Sequence, residues 1–260
     1  MKIAVALFGI PRASKLALPT LFGTALAELG HVGETRVFHH LFVQPRVRNP
    51  RSSEDDELRA SAYTPFDAFD GELEPAGDCL QRWPVERLQT FGDYYQDDFV
   101  SFNNLVHQLH SLWRVTQRIE AWQPDVVLFL RPDLIYHDAI PQAWIEAALR
   151  APRLVVVPDW QWWGGVNDRL AVCGRASYPA YGRRIERAAR FCERTTRPLH
   201  AERLLRFALH EARLRLRTRA FRASRIRTDG RMVAEKFHSN GTVGPWTNRR
   251  LHQWARLLPL

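Results

Sequence analysis

Lysine is nearly absent from this chain. Only Lys2, Lys15 and Lys236 occur among 260 residues, so 34 of the 37 basic residues are arginine. Cysteine is scarce too: Cys79, Cys173 and Cys192 form an odd set whose spacing matches neither a disulfide framework nor a zinc site. That excludes a small disulfide-stapled scaffold and favours a reducing, cytoplasmic setting. No apolar run approaches the ~20 residues that cross a bilayer. The reading is a soluble chain, with peripheral contact at the inner face of an anionic membrane as its one membrane option. The opening residues imitate a signal peptide, and Ala25-Leu26-Ala27 imitates a cleavage site. Pro11, Arg12 and Lys15 interrupt the apolar run, so it reads as a buried strand. Internal repeats and low-complexity segments are absent.

What is present is hydrophobic mass and uneven charge. The chain is 45% hydrophobic, enough for one sizeable core. Nine tryptophans serve core packing or, where exposed, stacking on sugars or bases. The net charge is +9. Residues 181–231 hold 16 Arg against 5 acids, and residues 51–100 hold 4 Arg against 13 acids. A basic C-terminal third suits phosphate, a nucleoside diphosphate, lipid headgroups or nucleic acid, or is a solvated helical face.

Residues 3–8 form a continuous apolar run ending at Gly9, a central strand. Residues 15–29 read as a helix stopped by Gly30, and residues 37–43 as a second strand. Strand, helix, strand begins an α/β fold. Residues 46–84 are acidic, broken by Pro and Gly, and read as an irregular insertion. A short helix is expected over 84–90. Residues 103–122 carry Leu105, Leu109, Leu112, Val115, Ile119 and Trp122 at helical spacing. Strands are expected at 126–130, 154–157, 171–173 and 221–227, and helices at 141–150, 178–192 and 200–214.

Three strand exits carry candidate chemistry. In open α/β sheets ligands bind beyond the carboxyl ends of the strands. At Gly9-Ile10-Pro11-Arg12 the glycine permits close backbone approach, and Arg12 offers a forked donor to phosphate. At Arg131-Pro132-Asp133, Asp133 suits Mg²⁺ or Mn²⁺ carrying a diphosphate, and Arg131 suits the diphosphate itself. The bland alternative is a salt bridge between Arg131 and Asp133. At Trp162-Trp163-Gly164-Gly165-Val166-Asn167-Asp168-Arg169, Trp163 suits stacking on a pyranose and Asp168 suits a general base. Further along, Glu202 and Glu211 read as solvent-facing partners of the many arginines. His238 is a late candidate metal or diphosphate ligand. Arg225 and Arg227 lie at a strand exit within reach of phosphate.

Taken in order, these motifs resemble bacterial glycosyltransferases of the GT-A type that build capsule and lipopolysaccharide. The order is Gly9 to Arg12, Asn103-Asn104 opening a helix with Ser111-Leu112, Arg131-Pro132-Asp133-Leu134, then Gly165 to Ala171 before a helix with Tyr181. The resemblance spans most of the chain outside 46–84. It implies one domain over 1–260 with a Rossmann-like mixed sheet flanked by helices. A nucleotide-binding half would cover 1–135, and an acceptor half with a basic helical tail would cover 136–260. It also implies a nucleotide-sugar donor, a glycan or other hydroxyl acceptor, and Mn²⁺ or Mg²⁺ as a cofactor. Arg131-Pro132-Asp133 stands at the family's Asp-x-Asp motif with only the last carboxylate present. Trp163 to Asp168 resembles the Trp-Gly-Gly-acid loop of galactosyltransferases, with Val166 where the acid stands. Gly9 to Ser14 also resembles the phosphosulfate loop of sulfotransferases, with Lys15-Leu16 in place of Gly-Thr. A non-catalytic sugar-binding role is a further alternative. Nucleic acid is disfavoured as a partner, since no helix-turn-helix, zinc or RNA-recognition signature accompanies the arginines.

Overall fold

Six consecutive residues, Ile3 to Phe8, are buried, as a strand covered on both faces requires. In the computed structural model, which describes residues 1–29 and 32–240, this strand is β1 (Lys2–Gly9). In chain order it is followed by α1 (Ser14–Thr20), β2 (Glu34–Val43), β3 (Arg46–Asn49), β4 (Glu54–Glu57), β5 (Asp70–Pro75), α2 (Val85–Gln89) and α3 (Val100–Trp122). Then come β6 (Val126–Leu130), β7 (Leu134–Tyr136), α4 (Gln142–Arg150), β8 (Leu154–Pro158), β9 (Ala171–Gly174) and α5 (Tyr178–Gly182). The described chain closes with α6 (Ala188–Thr195), α7 (Ala201–Glu211), β10 (Arg215–Arg219) and β11 (Ala223–Arg225).

Seven strands form one mixed sheet in the order β10-β8-β9-β6-β1-β2-β5. β1 is parallel to both β2 and β6, and β9 runs antiparallel between β6 and β8. Alternation along β1 divides the core. Ile3, Val5 and Leu7 pack with Leu21 and Ile145 on one face. Ala4, Ala6 and Phe8 pack with Leu112, Val115, Ile119 and Leu205 on the other. The chain leaves β1 toward β2 on one side and meets β6 on the other, so a crevice opens at the carboxyl ends of β1 and β6.

The α/β class and the mixed sheet with flanking helices agree with the sequence reading, but several elements differ. The expected helix over 15–29 ends at Thr20, after Pro19, and continues as a π turn at Leu21–Ala25. Gly30, its expected stop, lies outside the described residues. The expected helix over 178–192 is broken after Gly182, where any side chain would collide with Thr116. The expected helix over 200–214 stops at Glu211 and gives way to β10. The segment read as an irregular insertion contains three strands, of which β5 is an edge of the main sheet and β3 and β4 form a hairpin. Its acidic, interrupted sequence hid the strands because their hydrogen bonds depend on partners elsewhere. All three cysteines are free and buried. Among the described residues no helix is long and apolar enough to cross a membrane.

Candidate functional site

A cavity of about 690 Å³ opens at the crevice between β1 and β6, within the usual range for small-molecule sites. Its lining includes Gly9, Arg12, Arg131, Asp133, Trp163 and Asp168. Six residues singled out in three separate stretches of sequence thus line one cavity. His238 does not join them: it is exposed and lies outside the lining.

Gly9 ends β1 with φ 105°, a conformation open to glycine but strained for other residues. Its N–H donates to Ser111 Oγ on α3 at 2.8 Å. Pro132 and the pairing of β7 with β11 fix the exit from β6, and Ile226 N–H donates to the Asp133 carbonyl. Asp133 Oδ1 accepts from Arg131 Nε at 2.8 Å. Asp133 Oδ2 accepts from Arg131 at 2.7 Å and from Arg12 at 2.8 Å. Burial by itself would push the Asp133 carboxyl up. The Arg131 and Arg12 guanidiniums outweigh it and hold the group well below the usual carboxylate range.

Two residues the sequence reading passed over complete this end. Glu54, buried on β4, accepts from Arg12 at 3.0 Å, Arg227 at 3.2 Å and the Thr228 hydroxyl at 2.9 Å. Gln108 on α3 accepts from Arg131 at 2.7 Å and donates to Asp168 Oδ2 at 3.2 Å. It ties the guanidinium end of the cavity to the carboxyl end. Nothing local in either stretch signals this, because the contacts cross 23 to 174 residues of chain.

The carboxyl end is built from the 160–169 loop and the start of α7. Gly165 lies against the Glu202 carbonyl, where a Cβ would collide, and Val166 N–H donates to that carbonyl at 3.1 Å. Gln161 and Trp163 hold φ of 48° and 45°, costly for residues with side chains. The loop keeps this path because Asn167 donates to the Trp160 carbonyl and Gln161 accepts from Arg169. The outcome is an indole 60% exposed at the cavity rim.

Glu202 corrects the sequence reading. It is 9% exposed and lines the cavity beside Asp168, rather than facing solvent. Among the described residues its one contact of salt-bridge length is His200 Nδ1 at 3.4 Å. Burial, then the charge of Arg203, brings His200 down to about 4, so that imidazole is neutral near pH 7. Burial and the neighbouring Asp168 charge push the Glu202 carboxyl up to about 8. Glu211 pairs with Arg187, Arg190 and Arg194 as expected, but it is half-buried rather than solvent-facing.

A divalent cation does not fit at Asp133. Both oxygens already accept guanidinium N–H groups, and an ion there would sit against two positive charges. One other group has metal-centre composition among the described residues. His40, Glu74 and His110 bring their ligand atoms within 4.8 Å of one another. Trp83 Nε1–H donates to His110 Nδ1 at 3.1 Å, which places the proton of the neutral imidazole on Nε2, the atom facing Glu74. That proton occupies the lone pair an ion would need. The group acts as a hydrogen-bonded support under Gly9, through the contact of His40 with Ser111.

No known protein family and no curated protein matches this chain. Among solved structures it is similar to mouse xyloside xylosyltransferase 1 in its apo form, with a TM-score of 0.42 and 12% identity over 80% of this chain and 81% of that one.

Proposed function

We propose that this protein is a glycosyltransferase that moves a sugar from a nucleotide-sugar donor to a hydroxyl acceptor. The observation that carries the reading is the two-ended cavity: guanidiniums at the β1 and β6 exits, and two buried carboxyls about a loop and a helix start opposite. The donor diphosphate lies against Arg12 and Arg131, with Gly9 allowing close approach. Arg225 and Arg227 extend that end into a neighbouring cavity of about 380 Å³ lined also by Arg51 and Arg231. Trp163 covers the sugar or acceptor. The incoming hydroxyl meets the Asp168 and Glu202 end, where its proton is taken up. Catalysis consists of positioning and of stabilising the leaving diphosphate with fixed cations. Arginine is suited to this, being always charged and forked. Asp133 serves to orient both guanidiniums. The assignment to surface-polysaccharide synthesis rests on the motif order alone.

The sulfotransferase alternative fares worse on one observation. Ser14 is fully buried and its hydroxyl donates to the Ala62 carbonyl, and Lys15 is absent from the cavity lining. A thermal-shift panel tests the reading: nucleoside diphosphates and nucleotide-sugars, each with and without Mn²⁺, and adenosine 3′,5′-bisphosphate. Stabilisation by one nucleoside diphosphate in the absence of Mn²⁺ is expected, with loss in Arg131→Ala. A shift with the bisphosphate alone, or with nothing, overturns it.

A further inference from the structure

Glu202 is a buried carboxyl in a chain with 34 arginines, yet among the described residues no guanidinium forms an ion pair with it. Every comparable acid nearby is treated differently. Asp133 accepts from two arginines, Glu54 from two, and Glu235 from Arg225. Asp168, its neighbour on the wall, accepts from Gln108 and has the buried Arg184 at 3.7 Å. An acid kept out of water without a paired cation avoids the cost of a buried charge by holding its proton, and such a group in a cleft is a candidate for proton transfer.

We propose that Glu202 is the general base of this site and that Asp168 is its positioning partner. This rests on the glycosyltransferase reading. In the step, the acceptor oxygen bonds to the anomeric carbon of the sugar. The bond from that carbon to the diphosphate oxygen breaks, and its electron pair leaves with the diphosphate. The acceptor hydroxyl proton passes to a Glu202 oxygen. The displacement inverts the anomeric centre.

Geometry selects Glu202 over Asp168. Oδ2 of Asp168 is engaged by Gln108, the residue that also fixes Arg131, so Asp168 is tied into the guanidinium network. The start of α7 holds Glu202 in place: the carbonyl of Glu202 accepts from Val166, and Gly165 packs on it. The groups facing Glu202 are Asp168 and Arg169 from the loop, Arg51 beyond β3, Tyr95, and His200 on its own element. Asp168 raises its proton affinity, and Arg169 and Arg51 lower it. A base that titrates near the working pH transfers protons best.

The test uses the full chain with ¹³C-labelled glutamate, and Glu202→Gln and Asp168→Asn variants. One side-chain carboxyl resonance titrating near pH 8 is expected in the parent. It should vanish in Glu202→Gln and move to lower pH in Asp168→Asn. With the nucleotide-sugar found by the thermal panel, turnover should rise through the same midpoint. It should fall roughly 10²–10⁴-fold in Glu202→Gln while the nucleoside diphosphate still stabilises the variant. Absence of that resonance, or turnover in Glu202→Gln within a few fold of the parent, overturns the proposal. Failure of every nucleoside diphosphate to stabilise the parent overturns the glycosyltransferase reading instead, and the resonance reports on Glu202 regardless.

Discussion

The two ends of the cavity bury their carboxyls to similar depth and treat them in opposite ways. Asp133 is 3% exposed and Glu202 9%. At Asp133 two guanidiniums outweigh desolvation, and the group stays ionised far into acid. At Glu202 desolvation is joined by the Asp168 charge, and the group keeps its proton to about pH 8. Burial favours the protonated form at both; two guanidiniums outweigh it at Asp133, and no paired cation offsets it at Glu202. One end becomes a rigid cationic clamp, and the other a place for a proton to arrive.

The largest way to break this contrast is Asp133→Ala. It leaves Arg131 without a carboxylate partner and Arg12 with Glu54 alone, and loss of one partner of a buried pair typically costs about 3–5 kcal/mol. Denaturant unfolding should show that loss, and nucleoside diphosphate binding should go with it. An unchanged midpoint would mean the ion network is not part of what holds the crevice together.

Glu202→Gln comes next and acts in the other direction on stability. The folded-state value of Glu202 lies above its ordinary 4.5, so its contribution is intact below that value and declines as pH rises through about 8. Asp133 is the reverse: its contribution is present above the ordinary 3.8 and is lost as pH falls toward its depressed value. Melting temperature against pH should thus flatten on the alkaline side in Glu202→Gln, with a higher melting point at pH 7–8, while transfer is lost. A lower melting point across that range would show that the carboxyl is not protonated in the fold.

Gln108→Leu sharpens the comparison by uncoupling the ends. It removes two part-buried hydrogen bonds whose partners keep other contacts, each worth about 0.5–1.5 kcal/mol. Turnover should fall with a smaller change in melting point, and both cavity ends should keep their ligands' separate effects. The smallest effect belongs to Trp163→Ala. Stability should stay within about 0.5 kcal/mol, because the ring is mostly exposed. Affinity for a sugar-bearing ligand should drop by roughly 0.5–1.5 kcal/mol, the range of a ring contact, as calorimetry would read it.

The guanidinium end was the more legible in sequence. Gly9, Arg12, Arg131 and Asp133 sit at the ends of apolar runs, where strand periodicity and the sheet rule locate ligands without any knowledge of tertiary contacts. Their use was less legible. Arg131 and Asp133 are two residues apart, and spacing alone left metal ligation and ion pairing open. The decision came from Arg12, 121 residues away, which donates to Asp133 Oδ2. Residues 46–84 looked irregular because β3 and β4 have four residues each and half of β5 is acidic, so none shows an apolar alternation. Yet Glu54 from that stretch anchors Arg12 and Arg227.

By itself, the amino-acid order determined the α/β class, the central strands, the long amphipathic α3 and the three strand exits that carry polar chemistry. Those features follow from local periodicity and from what glycine and proline do to the backbone. Tertiary structure alone decided which acids hold protons. Glu202 reads as one more solvent-facing partner for arginine until α7 turns it toward Asp168, because proton affinity depends on solvent exclusion and on charges brought close through space.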